Sequence, residues 1–369
     1  MIFLGIYMVY SLLLLLGTLL FRSKIQVQRE NGQGKHFALI IAFRNEEKQL
    51  PALLNSLEQL QLKAHYLEQI LFVNDHSDDN SVITIENFSQ QTDLPIELFH
   101  LSEGQLGKKS AVDLAIEKAN SSLIYSIDAD CIIDEASISA MLNTMDEDKQ
   151  LVTGQVCFNG AGWFTDILNV ELAPVIGMTA LSIHAKQAGM ANAANMLFRK
   201  QAYVETKASR NDFSIPSGDD VYLLEAVKEK YGAEAIGFCK GSLVKTSPPQ
   251  SFKQFINQRI RWASKWNKSK SKQNMVMGLL VLLFHCMHLT LMVKLCINLD
   301  FKTVAQLFTI KALGEFVFIG TILASQRKRI SLTAFFFCSI FYSFYVLVIG
   351  ICSNFMSYSW KGREYGRIK

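Results

Sequence analysis

The stretch HFALIIAFRNEE (36–47) decides how the middle of this chain is read, because an apolar run without alternation breaks off sharply into Arg44, Asn45 and Glu46. A strand buried on both faces of a parallel sheet has that continuous apolar composition, whereas a strand with one wet face alternates. The pattern returns in QILFVND (69–75), ELFHL (97–101) and LIYSIDAD (123–130). The gaps carry helical periodicity: Leu50, Leu53, Leu54 and Leu57 within 47–60, then Val112, Ala115, Ile116 and Ala119 within 109–120. Alternation of this kind predicts an α/β sheet, and such sheets bind ligands outside the carboxyl ends of their strands. Here those ends are polar: Arg44, Asn45 and Glu46; then Asn74, Asp75, His76, Ser77 and Asp78; then Asp128 and Asp130. Carboxylates that converge on an anionic ligand repel it unless a cation lies between them. Magnesium or manganese, held by one or two carboxylates plus phosphate oxygens, removes the conflict. The ligand read from these strand ends is therefore a nucleoside diphosphate compound.

Outward from this core the chain turns apolar. Of its 369 residues 50% are hydrophobic and 19% charged, with a mean hydropathy of +0.17, which points to membrane segments. Residues 1–21 form a run long enough to span a bilayer as a helix, followed by Arg22, Lys24 and Arg29. The run reads as an uncleaved anchor (1–22), with residues 30–270 on the cytoplasmic side by the positive-inside tendency. A bacterial inner membrane is the expected location. Three further segments fall at 275–297, 303–324 and 331–353. The middle one carries Lys311 and Glu315 at a spacing of four, which either pair inside a bundle or mark a helix at the interface. If all three cross, Arg327, Lys328 and Arg329 are cytoplasmic and the basic tail (354–369) is not; if one only dips in, the reverse holds. Residues 161–185 are also apolar, as an interface helix or a buried core helix. A net charge of +4, from 37 basic and 33 acidic residues, excludes a phosphate-neutralising nucleic-acid binder. The seven cysteines contain no C-x-x-C pair, so neither a disulfide framework nor a zinc knuckle is written. Cys131 reads as a small buried residue without a base, and His285 and His288 as polar groups satisfied within a helix bundle.

Two motifs have structural as well as chemical readings. SGDD (217–220) suits a helix N-terminus whose acidic residues complement the dipole, or supplies a base for an attacking hydroxyl. QRIRW (258–262) puts Gln258, Arg261 and Trp262 on one helical face, fit for a diphosphate and a flat ligand; the alternative is a basic amphipathic helix resting on a membrane. GKK (107–109) precedes a helix, where amides and a lysine favour an anion, and lacks the full P-loop pattern.

Taken together, AFRNEE (42–47), VNDHSDD (73–79), GKKSAVDLAIEKA (107–119), SIDAD (126–130), ANAANMLFRK (191–200), SGDD and QRIRW resemble, in order, the membrane-bound inverting glycosyltransferases of family 2 across about residues 36–266. That group includes ceramide glucosyltransferases and the cellulose, chitin and hyaluronan synthases. The resemblance implies a GT-A nucleotide-sugar-binding domain, a Rossmann-like mixed sheet, at 36–250. A QxxRW interface region at 251–272 and membrane segments at 275–353 would follow. By the same resemblance Glu46 and Asp75 contact the nucleoside, Lys108 the donor, Asp128 the donor sugar or nucleotide, and Asp130 the metal (manganese or magnesium). Asp220 is the base, with Asp219 the first member of the acidic pair. Gln258, Arg261 and Trp262 close over the diphosphate and acceptor. Ala193 stands where the family's segment usually has glycine, so the local backbone or acceptor fit is expected to differ. The implied reaction passes a sugar from a nucleotide donor, a UDP-sugar in the first instance, to a lipid or membrane-held glycan with inversion. A processive polysaccharide synthase is the alternative within the enzyme class, and a nucleotide-binding membrane scaffold or transporter subunit the alternative outside it.

Overall fold

The computed structural model describes residues 2–23, 35–60, 67–210, 219–266, 272–361 and 363–365. The chain divides into two compact units: Gln26–Asn159 with Ser182–Ser247, and Met1–Ile25 with Gly160–Leu181 and Pro248–Lys369. By this division residues 160–181, an apolar stretch, group with the other long helices.

The first unit opens with β1 (Phe37–Phe43), α2 (Leu50–Glu58), β2 (Leu67–Asn74), α3 (Ser81–Ser89), β3 (Ile96–His100), α4 (Gly107–Lys118) and β4 (Leu123–Ser126). It continues through β5 (Cys131–Ile132), α5 (Glu135–Thr144), β6 (Leu151–Phe158), β7 (Met196–Arg199), α7 (Lys200–Glu205), α8 (Asp219–Tyr231) and β8 (Ile236–Thr246). The eight strands make one sheet in the order β3-β2-β1-β4-β7-β6-β8-β5. β3, β2, β1 and β4 run parallel, with Ile40 opposite both Leu71 and Ser126. From Phe37 to Ile41 β1 is essentially inaccessible, as its unbroken apolar run requires. α4 packs Ala111, Val112, Ala115 and Ile116 into the core formed by Ala38, Ile40, Leu71 and Val73. The ends of β2, β1 and β4 therefore lie side by side. The other half of the sheet is mixed: β7 is antiparallel to β4 and β6, and β8 is parallel to β6.

The second unit holds α1 (Ile2–Ser23), α6 (Trp163–His184, which runs on into the first unit), α9 (Phe252–Trp266), α10 (Lys272–Ile297), α11 (Phe301–Ser325) and α12 (Leu332–Phe355). Among the described residues α1, α6, α10, α11 and α12 are long and apolar enough to cross a membrane, and this is a membrane protein. The Lys311 and Glu315 alternatives resolve in favour of a bundle: the two pair at 2.8 Å on α11, and Tyr10 of α1 donates to Glu315 at 2.9 Å. His285 and His288 both find bundle partners, at 2.9 Å from Ser343 Oγ and 2.5 Å from Tyr7 Oη. α1 approaches α11 closely where Gly314 faces Ser11. A Cβ on Gly314 would lie 2.9 Å from the Ser11 Cα, and close backbone approach at small residues is how helices associate in lipid.

α6 differs from the other four. It leaves the sheet after β6 and returns before β7, and those strands are hydrogen-bonded neighbours, with Thr153 opposite Met196. A single crossing would put two paired strands on opposite sides of the bilayer, and a non-helical return through lipid leaves backbone polar groups unsatisfied. Despite its length of 22 residues, α6 therefore does not traverse.

Candidate active site

The loops after β1 and β2 are locked together. Asn45 and His76 sit in left-handed backbone (φ 52° and 54°), a conformation that a short polar side chain such as Asn tolerates best. The Asn45 amide N–H donates to Ser77 Oγ (3.1 Å), its Nδ2 to Asp78 Oδ1 (2.6 Å), and the Asp78 N–H back to Asn45 Oδ1 (3.0 Å). Arg44 donates from Nη1 to the Asp75 carbonyl at 2.8 Å and also to the His76 carbonyl. Glu46 and Asp75 are both buried at this junction. Asp75 Oδ1 accepts the Gly107 N–H at 3.1 Å, at the first turn of α4. Gly107 needs to be glycine, since its φ is +90°. The next residue, Lys108, ion-pairs with Asp128 at the end of β4. Asp75, the α4 N-terminus, Lys108 and Asp128 thus form a continuous polar line across adjacent strand ends, while the Glu46 N–H donates to Ser81 Oγ at 2.8 Å.

Asp130 follows Asp128 by one residue, and its carbonyl accepts from the Ser247 N–H at 3.1 Å and from Ser247 Oγ at 3.3 Å. The thiol of Cys131 points to Asp130 Oδ1 at 3.7 Å, and burial pushes it well above the ordinary cysteine range, so it stays protonated. Asp128 and Asp130 offer a hard cation oxygen ligands only. Among the described residues no group of three His, Cys, Asp or Glu is placed to enclose an ion. A cation that completes its shell with diphosphate oxygens and water fits such a half-site; a zinc with four protein ligands does not.

Asp220 is buried at the start of α8. Its Oδ1 accepts from the Val221 N–H (2.8 Å), so it does complement the helix N-terminus. Its Oδ2 accepts from the Ala193 N–H at 3.4 Å, which brings it against residues 192–195. Ala193 has negative φ, so alanine meets no backbone strain where a glycine was expected. Asp219 opens α8, but its side chain lies outside the described residues, as do Ser217 and Gly218. Gln258, Arg261 and Trp262 lie on α9 in the helical unit. Gln258 Oε1 accepts from Arg259 at 2.5 Å, and the Trp262 ring lies 4.4 Å from the Arg259 guanidinium.

The sequence left two groups without a role. Asn195, within ANAANMLFRK, is fully buried next to β7 and joins three other strands: its Oδ1 accepts from Tyr125 Oη (2.7 Å) and Ser242 Oγ (3.2 Å), and its Nδ2 donates to the Gln155 carbonyl (2.8 Å). Its side chain fills the space over Gly154, where β6 shifts register. The other group is Arg259 with Glu171, one of two acidic residues (with Asp166) in an otherwise apolar stretch, which is the signal that would have found it.

An α/β sheet with this strand order is a GT-A-type domain, here in a chain that also carries long apolar helices. The chain belongs to glycosyl transferase family 2: it matches Glycosyl transferase family 2 over residues 38–206 and Glycosyl transferase family group 2 over 123–358. Membership of that family speaks for an enzyme rather than for the scaffold alternative. It is 26% identical over 254 residues to a poly-beta-1,6-N-acetyl-D-glucosamine synthase of Staphylococcus epidermidis, covering 66% of this chain and 57% of that protein. With the synthase of that name from Staphylococcus aureus it is 26% identical over 235 residues, covering 61% and 53%. The chain therefore spans little more than half the length of these relatives. Among solved structures, a mannosyltransferase from Pyrobaculum calidifontis in complex with GDP-Man and Mn2+ superposes with a TM-score of 0.56 at 12% identity, covering 95% of this chain and 99% of the other. At that identity the likeness concerns the fold.

Proposed function

We propose that the protein transfers a sugar, with inversion, from a nucleoside diphosphate donor to a lipid or membrane-held glycan on the cytoplasmic face of a bacterial inner membrane. The observation that carries this is the polar line Asp75, α4 N-terminus, Lys108 and Asp128 along neighbouring strand ends, with Asp220 held against residues 192–195. In this reading Glu46 and Asp75 hold the nucleoside and Lys108 turns from Asp128 toward the donor's negative charge. Asp130 would hold magnesium or manganese, which offsets charge on the leaving diphosphate, and Asp128 would contact the donor sugar or nucleotide. The solved relative that carries Mn2+ and GDP-Man supports a metal and a nucleotide sugar here; a UDP-sugar is the first donor to try. Asp220 takes the proton of the attacking hydroxyl as the new bond forms on the face opposite the departing phosphate, and Asp219 is its partner in the acidic pair. Arg261 is assigned to donor charge, and Gln258 and Trp262 to acceptor and diphosphate, on the family resemblance.

A second reading, a synthase that adds sugars repeatedly to one chain, is favoured by the names of the curated relatives. One experiment tests both. The purified protein in native-lipid nanodiscs is given a panel of UDP- and GDP-sugars with either metal, and its products are weighed by mass spectrometry. A lipid heavier by one sugar supports single transfer, and a ladder of glycans supports the synthase. Absence of any metal-dependent nucleoside diphosphate release across the panel would reject the proposal.

A further inference from the structure

Arg259 stands inside the QRIRW stretch without belonging to the set Gln258, Arg261 and Trp262, yet its side chain is buried among several partners. The side chain is 3% exposed. Its Nε donates to Glu171 Oε1 at 2.9 Å and its Nη2 to Glu171 Oε2 at 2.6 Å, a two-pronged pair with an acidic residue of α6. Glu171 Oε1 also accepts from Tyr345 Oη of α12 at 2.6 Å, so three helices meet at one carboxylate. The remaining prong of the guanidinium, Nη1, donates to Gln258 Oε1, and its plane lies 4.4 Å from the Trp262 ring and 4.7 Å from the Phe255 ring. A planar cation with its donors committed this way has a single orientation, which a lysine ammonium on a flexible stem does not reproduce.

We infer that Glu171 and Arg259 are positioning residues that orient Gln258 and Trp262 for the acceptor step, with Tyr345 holding Glu171 in place. The inference rests on the glycosyltransferase reading for its kinetic consequence and on the geometry alone for its local one. A buried ion pair broken on one side leaves a charge without its partner. Here that charge would draw water or another side chain toward Gln258 and Trp262, displacing the two groups the pair now fixes. The α/β unit, which carries the donor-binding line, contains neither Glu171 nor Arg259. Acceptor turnover should therefore suffer while donor affinity does not.

The test uses the full-length protein in nanodiscs and compares wild type, Arg259→Lys, Glu171→Gln and Tyr345→Phe, each normalised to its folded fraction. For Arg259→Lys and Glu171→Gln the expected result is a loss of kcat, or a rise in acceptor KM, of tenfold or more, with donor affinity within about twofold of wild type. Tyr345→Phe should lose less. Unchanged kcat and acceptor KM per folded molecule in Arg259→Lys would overturn the inference, since a residue that serves only folding alters yield and not turnover. A second readout needs no activity. With Trp163, Trp266 and Trp360 replaced by Phe, acrylamide quenching of the remaining Trp262 should rise in Arg259→Lys. Identical quenching in the two proteins would overturn the positioning role even if no donor or acceptor were turned over.

Discussion

At the scale of single residues, Gly154 and Asn195 show how little space the site leaves. A Cβ on Gly154 would lie 2.3 Å from Asn195 Nδ2 and 2.7 Å from Cγ, closer than any packed carbon allows. Gly154→Ala must therefore push Asn195 away from Gln155 and Tyr125. We expect a loss of about 1–3 kcal/mol, typical of overpacking a filled site, read as a lowered unfolding midpoint. Tyr125 is suited to its role there, because burial holds its phenol well above the ordinary tyrosine range and so in the donating form. Asp130→Ala acts on chemistry instead. Loss of one charged ligand, at about 1.5–3 kcal/mol, should weaken metal-dependent donor binding by roughly tenfold to a hundredfold while donor binding without metal stays unchanged, which calorimetry with and without chelator would show. At this scale the sequence was informative wherever chemistry breaks a hydrophobic pattern, as at Asp75, Asp128 and Asp130. It assigned no role to Asn195, whose importance comes from three strands meeting at one amide beside β7.

At the scale of elements, the parallel half of the sheet was legible and the mixed half was not. β1, β2 and β4 are apolar runs that end abruptly in acidic residues, and α4 carries its stripe at helical spacing, so both period and boundary could be read. β7 has only four residues, and β6 is interrupted at Gly154 where its pairing to β8 shifts. Neither leaves a periodic signal, and their order in the sheet follows from tertiary pairing. The ambiguity of α11 had a similar source: a lysine and a glutamate four apart look alike at an interface and in a bundle until Tyr10 and Ser339 supply the partners. The buried pair makes a sharp prediction. Glu315→Leu alone, which strands Lys311, should destabilise the protein by about 3–5 kcal/mol, whereas Lys311→Met with Glu315→Leu should recover most of the loss. Denaturation of both variants in the same detergent decides it, and equal stabilities would show that the pair contributes nothing.

At the scale of the whole molecule, five helices are long enough to cross a bilayer, but α6 starts and ends in one sheet and so contributes no crossing. With α1, α10, α11 and α12 as spans, the turn at Arg327, Lys328 and Arg329 falls on the same side as the α/β unit, and the end of α10 falls on the other. Cys296, exposed near that end, should react with a membrane-impermeant maleimide added to intact cells. A cysteine introduced at Lys328 should react only after permeabilisation. The opposite pattern would require one of the four helices to turn back within the membrane. The central claim, that this chain is an inverting glycosyltransferase whose base is Asp220, is tested most directly by measuring Asp220→Asn and wild type side by side for two quantities: metal-dependent sugar transfer and donor affinity. The account predicts transfer reduced by about 10²–10⁴-fold with donor affinity essentially unchanged. Transfer at the wild-type rate in the variant would contradict it.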